Sequence, residues 1–177
     1  MIYLFLADGF EESEAIIPLD MLRRAGCDVR TVGVTGDTVV SSRGVRILAD
    51  VGIGDAADMP EAVILPGGMP GTKNLEASPD VQAMIDKVSS AGGIVAAICA
   101  APSVLGHKNL LAGRRATCFP GWEKDLYGAV VTDAKAVTDG NFITGKGAGA
   151  AFEFGAEIVA ALKGREVADK ILAQMQY

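Results

Sequence analysis

The chain of 177 residues contains one histidine, one tryptophan and three cysteines. Each scarcity excludes something. A single histidine, His107, rules out a zinc site built on several histidines. A Cys-His-Asp triad would need His107 to reach Cys99. The two sit on what reads as one helix, roughly 12 Å apart along its axis, beyond the reach of a catalytic base. Cys27, Cys99 and Cys118 show no CxxC spacing and no disulfide framework. They read as reduced thiols of a cytoplasmic protein. No apolar run approaches the length of a membrane helix. Residues 2–7 pass straight into Asp8 and three glutamates, which is not the pattern of a signal peptide. A formal net charge of −6 argues against a nucleic-acid-binding surface.

What the chain does have is apolar and small. Half its residues are hydrophobic and 22 are glycine. That composition fits one compact α/β domain over residues 1–177, with many tight turns and no disordered stretch. The length is ample for a full core. No repeat, linker or low-complexity segment interrupts it.

The stretch 92–102, GGIVAAICAAP, organises the rest. A short apolar run bounded by glycines predicts a strand buried on both faces of a parallel sheet. Pro102 and Ser103 read as the first turn of a helix, where a missing N–H costs nothing. Cys99 therefore falls on a strand-to-helix turn, the arrangement of a nucleophile elbow. A helix N-terminus beside the sulfur favours thiolate. The plainer reading is a buried core cysteine.

In order, residues 2–7 predict the first central strand, with a turn at Asp8-Gly9. Residues 15–25 predict a helix in which Pro18 lies in the first turn or makes a kink. Gly26 caps its end. Residues 28–34 complete a β-α-β unit, which calls for a parallel sheet. Residues 38–42 and 45–48 predict two short strands outside the main sheet. Residues 62–65 predict a buried strand ending in Pro66-Gly67-Gly68. Ser78 caps a helix over 79–91. Residues 114–118, 136–137 and 142–144 are further strand candidates. Helices are expected over 148–162 and 166–175, broken at Gly164. Asp8–Glu14, Pro66–Gly68 and Cys99 thus all follow strand ends, where open parallel sheets bind ligands.

Among the carboxylates, Glu11 and Glu12 read as partners of a helix dipole. Glu14 runs directly into apolar residues and is expected to turn inward, with a raised pKa. Beside Cys99 it would hydrogen-bond the thiolate and shuttle a proton. Gly67 and Gly68 allow close backbone approach to a ligand, and their N–H groups with that of Ala100 would form an oxyanion hole. An ordinary glycine turn is the alternative. Residues 140–146 fit GxxxxGK by spacing, but Gly147 replaces the Mg²⁺-binding Ser/Thr, so a phosphate loop is excluded. The glycines at 145, 147 and 149 read as packing of the next helix more than as an anion site.

Several motifs, taken in order, resemble the ThiJ/PfpI superfamily, specifically its parkinsonism-associated protein deglycase branch. They are ADGFEESE (7–14), IPLD (17–20), RRAG (23–26), LPGG (65–68), AAICAAP (96–102) and FEF (152–154). The resemblance holds from residue 2 to about 162. It implies a flavodoxin-like three-layer α/β/α sandwich, a mostly parallel sheet with a nucleophile-elbow cysteine, and a homodimer. It implies Cys99 as nucleophile and redox-sensitive thiol, Glu14 as its protonated partner, and Gly68 and Ala100 as oxyanion donors. Gly67 lines the substrate site, and Arg24 and Arg43 match arginines near it, Arg43 reaching in from the dimer partner. No metal or cofactor is implied.

The chain departs from that pattern at three positions. Phe119 stands where some members have a histidine beside the nucleophile. Lys146 replaces an arginine, and Ala148 a proline, on the pocket wall. Phe119 cannot move protons, so the histidine-dependent peptidase activity of some members is not expected. Two functions stay open. One is a cofactor-free glyoxalase or protein deglycase acting on α-oxoaldehydes such as methylglyoxal, or on glycated protein. The other is a non-enzymatic oxidative-stress sensor or chaperone in which Cys99 is oxidised to sulfinate.

Overall fold

A computed structural model describes residues 1–56 and 59–177. Strand β1 (Ile2–Leu6) leads into helix α1 (Glu12–Arg24) and β2 (Val29–Gly33). β3 (Thr38–Val40) and β4 (Arg46–Leu48) form an antiparallel hairpin outside the main sheet, and β5 (Val51–Gly52) returns to the sheet edge. β6 (Ala62–Leu65) precedes α2 (Gly71–Ala77) and α3 (Pro79–Ser90), and β7 (Ile94–Ile98) precedes α4 (Pro102–His107). β8 (Arg115–Ala116) pairs with β9 (Val130–Val131). The chain ends with β10 (Ala136–Asp139), β11 (Phe142–Gly145), α5 (Ala151–Lys163) and α6 (Arg165–Gln174).

The main sheet has the order β10-β11-β7-β6-β1-β2-β5. Every pair in it is parallel except β10 with β11. The pleat divides each central strand between two cores. Tyr3, Phe5, Val63, Leu65, Val95 and Ala97 face the layer of α3 and α4, with Val81, Ile85 and Leu105. Ile2, Leu4, Leu6, Ile64, Ala96 and Ile98 face the opposite layer, with Leu19, Phe154 and Ile158 of α1 and α5. Both faces are covered, which is why these strands are apolar throughout. β1 has β2 on one side and β6 on the other, so the winding reverses there. The crevice beyond its carboxyl end is where such sheets bind ligands.

The structure differs from expectation in several details. α1 begins at Glu12, three residues early, so Glu14 lies in its first turn and Pro18 in its interior. Proline there supplies no N–H to the Glu14 carbonyl. α2 has no counterpart in the sequence pattern. It buries only Gly71, Thr72 and Leu75, too few apolar positions for a helical periodicity to show. β5 and β9 are two-residue strands, set by their neighbours and not by their own pattern. Residues 148–150 form a 3₁₀ turn ahead of α5.

Candidate active site

Three loops at the carboxyl ends of β1, β6 and β7 meet at Cys99. Its φ of +66° places a non-glycine residue in the left-handed region, between β7 and α4. That conformation costs roughly 1–2 kcal/mol, and the surroundings hold it. The Cys99 N–H donates to the Gly145 carbonyl at 2.9 Å, and the Phe119 N–H donates to the Cys99 carbonyl at 2.9 Å. Cys99 is partly exposed, whereas Cys118 is buried.

Glu14 is wholly buried. Its Oε2 accepts the Gly67 N–H at 2.9 Å. Its Oε1 has no partner at ordinary hydrogen-bond geometry among the described residues; the Cys99 thiol is the polar side chain close enough to interact with the carboxyl. Gly67 makes that proximity possible. A Cβ on it would stand 2.6 Å from Cys99 Cβ and 2.8 Å from Glu14 Oε2. Gly68 has φ +87°, and a Cβ there would meet the Gly9 carbonyl oxygen at 2.5 Å. The backbone N–H groups of Gly68 and Ala100 lie close enough to the sulfur to favour its charged form.

Burial pushes the Glu14 carboxyl up to about 7, against the Cys99 and Gly67 hydrogen bonds, with the Glu11 charge adding to the rise. Burial also pushes the Cys99 thiol up to about 12, aided by the Glu14 charge and hydrogen bond, while the Gly68 and Ala100 N–H groups oppose the rise. This corrects the expectation that the helix N-terminus beside the sulfur favours thiolate over thiol. α4 has six residues, and desolvation outweighs its terminus. Cys99 and Glu14 titrate as a pair. The first proton leaves near neutrality. The resulting monoanion has two tautomers, carboxylate with thiol and carboxyl with thiolate. The second tautomer is the nucleophilic one, and the two N–H groups favour it. Burial and the charges of Glu123 and Asp125 raise Cys118 to about 11, and burial raises Cys27.

The other candidate residues fall at different distances. Arg43 is exposed at the β3–β4 tip, and its N–H donates to Glu12 Oε1 at 3.0 Å. Arg24 pairs with Asp20 at 2.9 Å, about 15 Å along α1 from Glu14, so within one chain it does not approach Cys99. Phe119 is half-exposed at 48%, its ring against Gly147. It borders a cleft of about 410 Å³ that Lys146 and Ala148 also line. Lys146 pairs with Asp133 at 2.5 Å. Glu11 and Glu12 stand at the N-cap and in the first turn of α1, where acidic residues partner the helix dipole, and they also clasp the hairpin. Ser41 Oγ donates to Glu12 Oε1 at 2.5 Å, and Ser42 Oγ to Glu11 Oε2 at 3.1 Å.

Residues 1–161 match the DJ-1/PfpI family. The chain belongs to the DJ-1/PfpI family. It is 39% identical over 172 residues to protein dj-1beta of Drosophila melanogaster, covering 95% of this chain and 92% of that protein. It is 37% identical over 178 residues to the Parkinson disease protein 7 homolog of Danio rerio, covering 97% and 94%. A protein named glutathione-independent glyoxalase DJR-1.2, from Caenorhabditis elegans, is 34% identical over 164 residues, covering 92% and 88%. Among solved structures, a DJ-1 superfamily protein from Salmonella typhimurium superposes with a TM-score of 0.94 at 37% identity, covering 99% of this chain and 97% of that one. Oxidized Toxoplasma gondii DJ-1 superposes at 0.96 with 32% identity, covering 99% and 97%. The parallel sheet flanked by helices is thus that of the DJ-1 proteins, and the flavodoxin-like expectation holds. No described helix is long and apolar enough to cross a membrane.

Proposed function

We propose that this DJ-1/PfpI protein is a cofactor-independent glyoxalase or deglycase that converts α-oxoaldehydes such as methylglyoxal to hydroxy acids through Cys99. The observation that supports it best is the juxtaposition of a left-handed, partly exposed cysteine with a buried carboxyl and two converging N–H groups. A relative of comparable length carries a glyoxalase name.

The steps follow from the pair. The Cys99 thiolate attacks the aldehyde carbon, forming an S–C bond and an alkoxide that the Gly68 and Ala100 N–H groups stabilise. The protonated Glu14 gives its proton to that alkoxide. Its carboxylate then removes the proton on the former aldehyde carbon, giving an enediolate, and returns that proton to the neighbouring carbon while the hydroxyl proton passes from the first oxygen to the second. The product is a thioester of the hydroxy acid. Water adds to it, the C–S bond breaks, and thiol and acid are released. Overall, one water adds per aldehyde. The same attack on a hemiaminal-type adduct of a glycated protein would release its amine.

A second copy of the chain at the hairpin would complete this reading. Arg43 is exposed and has no ion pair among the described residues, so in a homodimer it would supply a cation to the neighbouring site. A redox-sensing role is the second reading, favoured by the partial exposure of Cys99 and by the oxidized state of the Toxoplasma gondii relative. Two equivalents of peroxide convert thiolate to sulfinate and two waters. Lactate formation from methylglyoxal by wild type and by Cys99→Ala separates the two. Cysteine-dependent lactate supports the enzyme; sulfinate by intact mass with no lactate supports the sensor.

A further inference from the structure

One side chain joins the segments that follow three of the loops around Cys99. Gly68 is followed by α2, Cys99 by α4, and Phe119 by a 3₁₀ turn at Glu123–Asp125. His107 ends α4. Its Nδ1 lies 2.5 Å from Glu76 Oε1 on α2, and its Nε2 lies 3.5 Å from Asp125 Oδ1 on the turn. The Tyr127 ring packs on the imidazole with centroids 5.2 Å apart. The neighbouring cation, Lys108, is taken up by Asp86 of α3 at 2.9 Å.

The two helices that His107 and Glu76 connect each begin on an N–H donor of the site. The Thr72 N–H, in the first turn of α2, donates to the Gly68 carbonyl at 3.0 Å. The Ser103 N–H and Oγ, in the first turn of α4, donate to the Ala100 carbonyl at 3.1 and 2.7 Å. The β6–β7 pairing brings the two loops together, and the placement of α2 against α4 acts on the separation of the Gly68 and Ala100 N–H groups through these carbonyl contacts. α4 already touches the turn through backbone, since a Cβ on Gly106 would meet the Asp125 carbonyl oxygen at 2.1 Å. Among the described residues, the side-chain hydrogen bond that ties α4 to α2 is Glu76–His107.

We propose that protonated His107 is a positioning residue: bridging Glu76 and Asp125, it fixes α2 against α4 and so keeps the Gly68 and Ala100 N–H groups converged on the Cys99 sulfur. Its chemistry suits the part. Two carboxylates and an aromatic face favour the imidazolium. The Glu76 hydrogen bond raises its pKa most, partial burial opposes the rise, and the Glu76 charge and Asp125 add to it. His107 touches no reacting atom, and it acts by holding the donors that favour thiolate. The proposal takes the donor roles from the proposed function, but its test reads sulfur chemistry and does not require turnover.

Because His107 is the sole histidine, its two imidazole C–H signals report its titration by NMR with no competing histidine. That titration is measured in wild type and Glu76→Gln. Alkylation of Cys99 by iodoacetamide is then followed by peptide mass from pH 5.5 to 9 for wild type, His107→Gln, His107→Lys and Glu76→Gln. A better-held thiolate gains in population by more than it loses in nucleophilicity. His107→Gln is therefore expected to react about three- to tenfold more slowly below the imidazole pKa. The rates should converge above it, at the pH where the wild-type NMR signal titrates. His107→Lys keeps the cation and should recover part of the rate at all these pH values. Glu76→Gln should move the imidazole pKa and the convergence point down together, and it keeps the ring should His107→Gln fail to fold. A rate ratio independent of pH means the ring merely packs, and a ratio of one throughout means it does nothing; either overturns the proposal. If wild type makes no lactate yet the ratio follows the imidazole, the glyoxalase reading falls and the positioning role stands.

Discussion

The Gly67 N–H donates to Glu14 Oε2 at 2.9 Å, joining the loop after β6 to the first turn of α1 inside the protein. This contact holds the carboxyl beside Cys99, and the glycine's missing side chain is what gives the carboxyl and the sulfur their shared space. Gly67→Ala would put a Cβ within 2.8 Å of the Ile98 carbonyl oxygen as well, a backbone atom that cannot swing away. Overpacking of this kind costs roughly 1–3 kcal/mol. A lowered melting temperature and loss of methylglyoxal turnover are expected together. An alanine variant with wild-type melting and turnover would show that the loop relaxes freely.

Stability should fall as pH rises through the titration of Glu14. Its carboxyl is raised from 4.5 to about 7 in the fold, so between those values the native state keeps a proton that the unfolded chain has lost. Below about 4.5 both states are protonated and the group has no effect. Above 7 burial of the charge is fully felt, at ~3 kcal/mol. Denaturant unfolding at pH 5 and pH 8 measures the difference. Glu14→Gln, which can still accept from Gly67, should flatten that slope. An equal slope in both proteins would mean that Glu14 is not the group responsible.

Cys99 should be labelled before Cys27 and Cys118. Cys118 is only 4% exposed, and burial raises the Cys27 thiol with no buried carboxyl beside it, among the described residues, to take its proton as Glu14 does for Cys99. Limited iodoacetamide labelling with peptide mapping checks this. The Cys99 rate should rise with an apparent pKa near 7, the first proton of the pair. In Glu14→Gln no carboxylate takes the thiol proton, and the rise should move to higher pH. Labelling led by Cys27 or Cys118 would remove Cys99 from its assigned role.

Phe119→His should raise glyoxalase activity and leave oxidation nearly unchanged. The Phe119 N–H is bonded to the Cys99 carbonyl, and its ring is half-exposed. An imidazole there would stand beside the substrate. A missing acid or base costs ~10²–10⁴-fold, whereas peroxide needs only thiolate and access. Steady-state kinetics with methylglyoxal, beside a peroxide titration followed by mass, test both halves. If the two proteins turn over equally, Glu14 alone carries the proton transfers.

The sequence by itself determined the framework. Apolar runs at 2–6, 62–65 and 94–98 are strands buried on both faces, because parallel strands covered by helices admit no polar alternation. The strand ends then pointed to Asp8–Glu14, Gly67-Gly68 and Cys99 as one locality. Ser78, whose side chain accepts the Val81 N–H, and Gly26, with φ +72°, marked a helix start and a helix end because their chemistry is local.

Tertiary structure decided the rest. The inward turn of Glu14 and its pKa depend on burial by loops 53 and 85 residues away in sequence, and desolvation is a property of packing, not of composition. The same holds for Arg24, which shares α1 with Glu14 but sits at the far end of that helix. It holds for Glu11 and Glu12, whose serine partners lie about 30 residues on. His107 could be excluded as a base from its spacing along the chain. That it grips Glu76 and Asp125 depends on how α2, α4 and the 123–125 turn pack, and no local pattern encodes that.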